Sequence, residues 1–327
     1  EVALFHGRGG ALGRGGGPAA RAILSLPPDS VRGRLRLTEQ GEVIADRYDD
    51  PAIAHRHLEQ LFWATLIVSA PTPNAPNAEP DADADADALS GAPEPPAPTD
   101  ADRRFADRLA GRSLEAYREL IASPGFEAYL RQCTTLPWVE TLPIGSRPSR
   151  RTGAARLEDL RAIPFTFAWN QVRMPINAVF GLGAALDGLD PADRDRAADC
   201  YRRWPWFRAV IDNAELALAR CDLSITRLYA ELGEDPDAAL AIWSKLRDEY
   251  RRARDAVLRI KGERRINDAV PWLQRTIRVR NPYVDTLNLI QIELLRRARD
   301  ADPPDARLES ALRLTLQSIA AGLRNPG

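Results

Sequence analysis

Cysteine, histidine and methionine are scarce in this sequence, and their scarcity removes several classes of site. The 327 residues include three cysteines, three histidines and one methionine. Cys133, Cys200 and Cys221 are far apart and form no Cys-x-x-Cys pair, which argues against a disulfide framework and against a zinc site. We therefore expect free thiols in a reducing compartment.

Net charge and long apolar runs are also lacking. The chain has 45 Lys and Arg residues against 46 Asp and Glu residues, so its surface as a whole indicates neither a nucleic-acid nor a membrane partner. The longest apolar stretch, Leu61 to Val68, is far shorter than the roughly 18 residues of a membrane span, and no signal peptide is recognisable. With 44% hydrophobic residues the chain can bury a sizeable core, and we expect a cytoplasmic protein.

Glycine and arginine, in contrast, are concentrated near the start of the sequence. After the apolar run Val2 to Phe5 and His6, seven glycines together with Arg8 and Arg14 fall within residues 7–17. Glycine tolerates positive φ and lets backbone N–H groups converge on an oxygen ligand, and a guanidinium can bind phosphate or carboxylate through two donors. The segment predicts an anion-binding loop that follows a strand.

The residue order of this loop bears on other interpretations. It has no Gly-Lys-Ser/Thr ending and no Gly-x-Gly-x-x-Gly fingerprint, so neither common nucleotide motif fits. An RNA-binding Arg-Gly-Gly tract stays open, although such tracts are long and basic and this one has no aromatic residue between its arginines. A structural turn or flexible linker also stays open, although the apolar runs on both sides favour a ligand loop.

The coarse pattern predicts a mostly α protein with a few N-terminal strands followed by a large helical region. A helix is expected from Ala54 to Ser69, another from Ala238 to Ile260, and one long buried helix from Leu216 to Leu228. Strand ends are expected at four short apolar runs: Val2 to Phe5, Ala22 to Leu26, Leu35 with Leu37, and Val43 with Ile44.

Residues 70–102 interrupt this pattern. They hold eight prolines, eight acidic residues and no basic residue, so they bury too little apolar surface to offset the entropy of ordering. The alternating Asp81 to Asp87 lacks the glycine and closing Glu of an EF-hand calcium loop. We predict three parts: residues 1–69 with the anion loop and the strands, a disordered acidic insert over 70–102, and a helical region over 103–327.

Several separated motifs then follow one another in a recognisable order. They are Phe5-His6-Gly7-Arg8-Gly9-Gly10, Gly13-Arg14-Gly15-Gly16-Gly17-Pro18, Ile144-Gly145-Ser146-Arg147-Pro148, Leu160-Arg161-Ala162-Ile163-Pro164, Arg280-Asn281-Pro282-Tyr283 and Gly322-Leu323-Arg324-Asn325-Pro326-Gly327. Together they closely resemble the C-terminal portion of phosphoenolpyruvate carboxylases. An ordered set of motifs is far more specific than any one of them.

This resemblance implies a partial TIM-type α/β barrel and a carboxylating enzyme. The family converts phosphoenolpyruvate and bicarbonate to oxaloacetate and phosphate, and it requires Mg²⁺ or Mn²⁺. The metal ligands, a catalytic histidine and a lysine of the family belong to its upstream portion, so the resemblance implies an incomplete enzyme here. It also implies a homotetramer for the full-length protein.

The resemblance also implies roles for individual residues of an active site. Arg8 and Arg161 take the substrate-phosphate positions, and Arg147 lines the same site near bicarbonate. His6 is the histidine of the glycine loop, where it follows the first strand as catalytic residues of a barrel do. Arg14 lies on a mobile loop and completes the catalytic pocket.

A feedback site for a dicarboxylate, aspartate or malate, is implied at Arg14, Arg220, Arg280 and Asn325. Arg220 stands where the family has a lysine, which keeps the charge but changes its geometry. Because Arg14 would serve both sites, a bound inhibitor would hold its loop away from the substrate. The alternative is a non-catalytic module that senses dicarboxylate or phosphate.

Overall fold

The computed structural model describes residues 19–27, 30–31, 33–37, 44, 47–70, 97–143, 149–150, 157–301 and 305–323. Within these residues it has fourteen α-helices and a 3-10 turn at Leu157–Asp159. The helices are α1 (Ala19–Leu24), α2 (Pro51–Ser69), α3 (Asp100–Ile121), α4 (Phe126–Gln132), α5 (Leu136–Val139), α6 (Ala162–Gln171), α7 (Ile176–Val179), α8 (Leu182–Leu186), α9 (Pro191–Arg203), α10 (Pro205–Leu218), α11 (Leu223–Ala230), α12 (Pro236–Lys261), α13 (Pro271–Asp300) and α14 (Ala306–Gly322).

The expected strands and partial barrel are wrong for the part of the chain that the structure describes. These residues contain no strand, and their strand-like pairing is limited to an isolated antiparallel bridge between Arg150 and Leu160. Most of the run from Ala22 to Leu26 belongs to α1, because a short apolar run does not distinguish a strand from a helix and alanine favours the helix. Leu35 and Leu37 lie in irregular chain. Val2 to Phe5 and Val43 lie outside the described residues.

Helical periodicity predicted the later helices better than the short apolar runs predicted strands. The expected helix from Ala238 to Ile260 is confirmed as α12, whose N-cap Asp235 accepts hydrogen bonds from two backbone N–H groups and whose C-cap is Gly262 at φ 68°. The expected helix from Ala54 is confirmed as α2, which begins at Pro51. The long helix expected from Leu216 to Leu228 is wrong, because the chain forms α10 and α11 with a loop between them.

The chain divides into two compact units, residues 1–103 with 195–212 and residues 104–194 with 213–327. In the first unit α1 packs on α2. Ala64 of α2 is fully buried. The rest of α2 is unusually exposed for so apolar a helix. Large apolar side chains are exposed at Ile53, Leu58, Phe62, Trp63, Leu66 and Ile67.

A buried carboxylate forms the main polar contact of the first unit. Asp102 accepts a hydrogen bond from the Thr99 hydroxyl at 2.6 Å and pairs with Arg203 at 2.5 Å. Burial raises the pKa of the Asp102 carboxyl, but the hydrogen bonds from Arg203 and Thr99 outweigh it and hold that pKa well below its usual range. Asp102 lies in the first turn of α3, whereas the sequence predicted that the disordered acidic insert extends to residue 102. Residues 71–96 of the predicted insert lie outside the described residues.

The core of the second unit is centred on Trp169 of α6. Its ring stacks against Phe126 and Tyr129 of α4, with ring centroids 6.0 and 5.9 Å apart. Buried apolar side chains of α11, α12, α13 and α14 complete the same cluster. This packing fixes α6 in the middle of a helical assembly and leaves its N-terminus at one edge of the core.

Candidate functional site

The structure describes three of the eight predicted site residues. They are Arg161, Arg220 and Arg280. The other five, His6, Arg8, Arg14, Arg147 and Asn325, lie outside the described residues. The geometry of the candidate sites is therefore built from one arginine of the expected substrate site and two arginines of the expected effector site.

Arg161 lies directly before α6, as its N-cap residue. Its backbone N–H donates to the carbonyl of Ser149 at 3.0 Å, next to the bridge between Arg150 and Leu160, so two chain segments meet at this point. The Arg161 side chain is half-buried, and its Nε atom is buried with no hydrogen-bond partner among the described residues. A buried guanidinium N–H without a partner is costly unless it meets an oxygen ligand.

The N-terminus of α6 adds to this electropositive edge. The Arg161 side chain does not cap the helix, and its first backbone N–H groups have no side-chain acceptor among the described residues. The partial positive charge of a helix N-terminus favours an anion. The neighbouring Arg150 is already paired with Glu140 at 2.7 Å, with both side chains mostly buried. Arg161 and the start of α6 are thus suited to bind a phosphate or carboxylate. The family resemblance predicts phosphate binding by Arg161.

Arg220 and Arg280 belong to chain segments that border one cleft. Arg220 lies in the loop Ala219–Asp222 and Arg280 lies on α13. A surface cleft of about 320 Å³ is lined by Ala219 and Cys221, which flank Arg220, and by Asn281, which follows Arg280. Burial lowers the pKa of the Arg220 guanidinium, and no described carboxylate pairs with it. The structure therefore brings these two predicted effector segments together.

The titratable side chains of this cleft are suited to binding rather than to proton transfer. Burial raises the pKa of the Cys221 thiol to about 12 and that of the Tyr250 phenol to about 12, so both are neutral near pH 7. Arg278 supplies a positive charge at the same surface. A neutral, partly apolar wall with arginines at its edge fits a small anionic ligand.

Arg173, which sequence reasoning missed, connects the Arg220 loop to α13. Its Nε donates to the carbonyl of Arg220 at 2.9 Å, and its Nη1 donates to Asp285 Oδ1 at 2.5 Å. Its own carbonyl accepts the backbone N–H of Asp222 at 3.0 Å. No signal in the sequence marks this residue, because its partners are 47 and 112 positions away.

A buried polar network, also missed, joins α6 to α13 and α14. The Asn288 amide of α13 donates to the Gln171 carbonyl of α6 at 2.8 Å and to the Tyr229 hydroxyl at 2.9 Å. Gln291 accepts a hydrogen bond from Tyr229 at 2.6 Å and donates to Thr315 of α14 at 3.0 Å. Asn288 Oδ1 has no partner among the described residues, but the bonds that are made join three helices and favour one register between them. The helix that follows Arg161 and the helix that carries Arg280 are thus held in a defined relation.

The described residues lack a metal cluster and a membrane-spanning helix. These residues contain no group of three or more His, Cys, Asp or Glu side chains that could hold a metal ion, so they do not fit a site for Mg²⁺ or Mn²⁺. No helix among them combines the length and the apolar character needed to cross a bilayer. The three cysteines are free thiols, as expected.

Comparison with known proteins gives one consistent result. The profile of the family described as phosphoenolpyruvate carboxylase matches residues 1–327. Phosphoenolpyruvate carboxylases from Roseiflexus castenholzii and Rhodothermus marinus are 42% and 41% identical to the chain, and one from Azoarcus sp. is 40% identical. Each match includes 100% of this chain and 34% of the relative. The chain therefore spans about a third of the length of these relatives.

Proposed function

The chain belongs to the phosphoenolpyruvate carboxylase family, and from that membership we propose that it is the C-terminal third of an enzyme that forms oxaloacetate and phosphate from phosphoenolpyruvate and bicarbonate. The observation that carries this proposal is Arg161, with its unpartnered, buried Nε beside the uncapped start of α6. That arrangement suits the phosphate of a trianionic substrate.

In the proposed reaction the chain supplies the groups that bind anions. Arg8 and Arg161 would hold the substrate phosphate, and Arg147 would hold bicarbonate beside it. A bicarbonate oxygen attacks the phosphorus, the bond from phosphorus to the enolate oxygen breaks, and carboxyphosphate is formed. Carboxyphosphate then releases carbon dioxide and phosphate, and C3 of the enolate attacks the carbon dioxide.

His6 and Arg14 complete the proposed active site. Arg14 on the glycine loop would enclose the reacting groups and exclude water, which would otherwise protonate the enolate. We place the ligands of Mg²⁺ or Mn²⁺ in the part of the family that this chain does not match, as the family resemblance implies.

The exposed apolar face of α2 supports the proposal of an incomplete enzyme. Phe62 and Trp63 are 71% and 52% exposed, whereas large side chains of this kind are normally packed against other structure. The matching relatives are about three times longer than this chain, which leaves ample further structure to cover such a face. A cytoplasmic homotetramer with a dicarboxylate effector completes the proposal.

The decisive experiment compares this chain with the complete enzyme. Residues 1–327 alone should give no oxaloacetate in an assay coupled to malate dehydrogenase, whereas the complete enzyme should give steady turnover. Mixing residues 1–327 with the separately expressed upstream part provides a test of complementation. Turnover by residues 1–327 alone would overturn the proposed division of roles.

A stand-alone dicarboxylate or phosphate sensor is the second candidate. The cleft between the Arg220 and Arg280 segments favours it, because a binding site could persist without the metal-binding portion. Calorimetric titration of the chain with aspartate, malate and inorganic phosphate tests whether it binds them on its own, and the coding sequence upstream of Glu1 separates the two proposals. Micromolar binding, together with a coding sequence that starts near Glu1, would favour the sensor.

A further inference from the structure

We propose that the ion pair between Arg173 and Asp285 positions the Arg220 loop against α13 and thereby sets the affinity of the dicarboxylate effector. Arg173 acts here as a positioning residue and does not touch the ligand. The inference rests on the proposed function, in which Arg220 and Arg280 are effector-binding residues. It adds two residues to which the family resemblance assigned no role.

The geometry of Arg173 is that of a connector between three chain segments. It follows α6, its side chain is fully buried, and it binds the Arg220 carbonyl and the Asp285 carboxylate through different nitrogens of one guanidinium. Its carbonyl accepts the N–H of Asp222. The loop is therefore held at two backbone points on either side of Cys221, the Arg220 carbonyl by the guanidinium and the Asp222 N–H by the Arg173 carbonyl. The rigid, planar guanidinium also fixes the Arg220 carbonyl relative to Asp285 of α13.

The backbone of Arg173 shows that this arrangement is specified rather than incidental. Arg173 adopts φ 61°, a left-handed conformation that a non-glycine residue rarely takes without compensating contacts. Its Nη2 atom is buried and has no hydrogen-bond partner among the described residues. Relative to apolar residues of similar size, a buried ion pair contributes little net stability, which favours a role in geometry; removal of one partner alone still leaves an uncompensated charge, so global stability is measured alongside the loop.

The position of Asp285 relates this pair to the proposed effector site. Asp285 lies five residues after Arg280 on the same helix, a separation of about 7.5 Å along the axis. The helix that carries one effector arginine therefore also anchors the loop that carries the other. Loss of the anchor would let the Arg220 segment move away from α13 while Arg280 stayed in place.

Thiol labelling measures this movement in the chain itself. Cys221 lies inside the held loop, and Cys133 is fully buried elsewhere in the same unit. In Asp285→Asn we expect the labelling rate of Cys221 by a maleimide, followed by mass spectrometry, to rise about tenfold while that of Cys133 stays unchanged. Arg173→Lys should give an intermediate rate. Arg173→Met is the more severe variant. If Arg173→Met fails to fold, Asp285→Asn still provides the test.

Glu293→Gln is the matched control, because it removes an exposed ion pair with Arg297 from the same helix. It should leave both labelling rates unchanged. An unchanged Cys221 rate in Asp285→Asn would overturn the positioning role. An equal increase at Cys133 and Cys221 would overturn it as well, because the pair would then act on global stability alone.

Inhibition of the complete enzyme tests the consequence for the effector. Asp285→Asn should raise the aspartate or malate concentration for half-inhibition about tenfold and leave kcat/KM for phosphoenolpyruvate within about twofold. If Arg220→Ala weakens inhibition and Asp285→Asn does not, the inferred positioning is wrong. If Arg280→Ala leaves inhibition unchanged, the effector assignment is wrong, and the labelling rates still decide whether the pair holds the loop.

Discussion

Glu249 Oε1 lies 2.7 Å from the backbone nitrogen of Gly183 and accepts its hydrogen bond. The same oxygen accepts the N–H of Gly181 at 2.8 Å, so a buried carboxylate of α12 satisfies the start of the short helix α8. Gly183 also lets the two helices approach closely. A Cβ at this position would lie 2.6 Å from the backbone nitrogen of Ala253.

Gly183→Ala should therefore destabilise the chain by about 2–3 kcal/mol, because the new methyl group meets backbone rather than a side chain that can move. Urea denaturation followed by circular dichroism measures the change. Gly111→Ala is the matched control. No atom lies within 4 Å of its Cβ in α3, and it should be neutral or stabilising by about 0.5–1 kcal/mol. Equal stability of the two variants would contradict the close contact.

Asp102 predicts a specific pH dependence of stability. Burial raises its pKa, but hydrogen bonds from Arg203 and Thr99 lower it further, so the folded-state pKa lies below the unfolded-state value of about 4. The stabilisation is therefore complete above about pH 5 and is lost as the pH falls toward the folded-state pKa. Asp102→Asn should cost about 2 kcal/mol at pH 7 and about 1 kcal/mol less at pH 3, where the unfolded-state carboxyl is mostly protonated.

The control for Asp102 is a neighbouring, exposed carboxylate of the same helix. Asp100 pairs with Arg103, and both side chains are largely exposed, so Asp100→Asn should change the free energy of unfolding by about 0.5 kcal/mol or less at both pH values. A cost of Asp102→Asn that is the same at pH 7 and pH 3 would show that the native carboxylate is not preferentially ionised.

The proposed substrate site predicts a kinetic effect at Arg161. In the complete enzyme, Arg161→Ala should lower kcat/KM for phosphoenolpyruvate, because a charge-assisted contact to phosphate is lost. The expected loss of transition-state stabilisation is about 2–4 kcal/mol. Arg161→Lys should restore only part of it. Arg297→Ala removes an exposed arginine that pairs with Glu293 and should have no effect. Wild-type kcat/KM in Arg161→Ala would assign that arginine a structural role.

The sequence predicted the helical elements where local signals agree. For α12, apolar periodicity, an N-cap aspartate and Gly262 all indicate the same bounds, and the structure confirms them. The break between α10 and α11 was missed because the loop has neither glycine nor proline. Its one signal was Asp222, whose carboxylate accepts hydrogen bonds from the N–H groups of Ser224 and Ile225 at the start of α11.

The positioning contacts could not be predicted from local pattern at all. The Arg173 side chain has partners on α13 and in the Arg220 loop, and Asn288 reaches α6, so the contacts depend on tertiary packing over tens of residues. Periodicity describes only which face of a helix is apolar. The strand expectation failed for a related reason, because a short apolar run such as Ala22 to Leu26 fits two kinds of element.

The last prediction separates regulation from catalysis in the complete enzyme. Arg280→Ala, or deletion of Asn325 to Gly327, should weaken inhibition by aspartate or malate by about tenfold and change kcat/KM little, because these residues would bind only the effector. Arg14→Ala should impair both properties, since one side chain would serve both sites. Arg275→Ala, an exposed arginine on the same helix as Arg280, is the control and should change neither.

Two measurements decide this prediction, the half-inhibitory effector concentration and kcat/KM for phosphoenolpyruvate, taken on the same preparations. The cleft beside Arg220 and Arg280 supports a shared ligand, because residues next to both arginines line it. If Arg280→Ala leaves inhibition unchanged, the effector assignment is wrong and the carboxylase proposal still stands. If Arg14→Ala weakens inhibition but spares kcat/KM, the glycine loop does not act in catalysis, and the inhibitor cannot work by withdrawing Arg14 from the substrate.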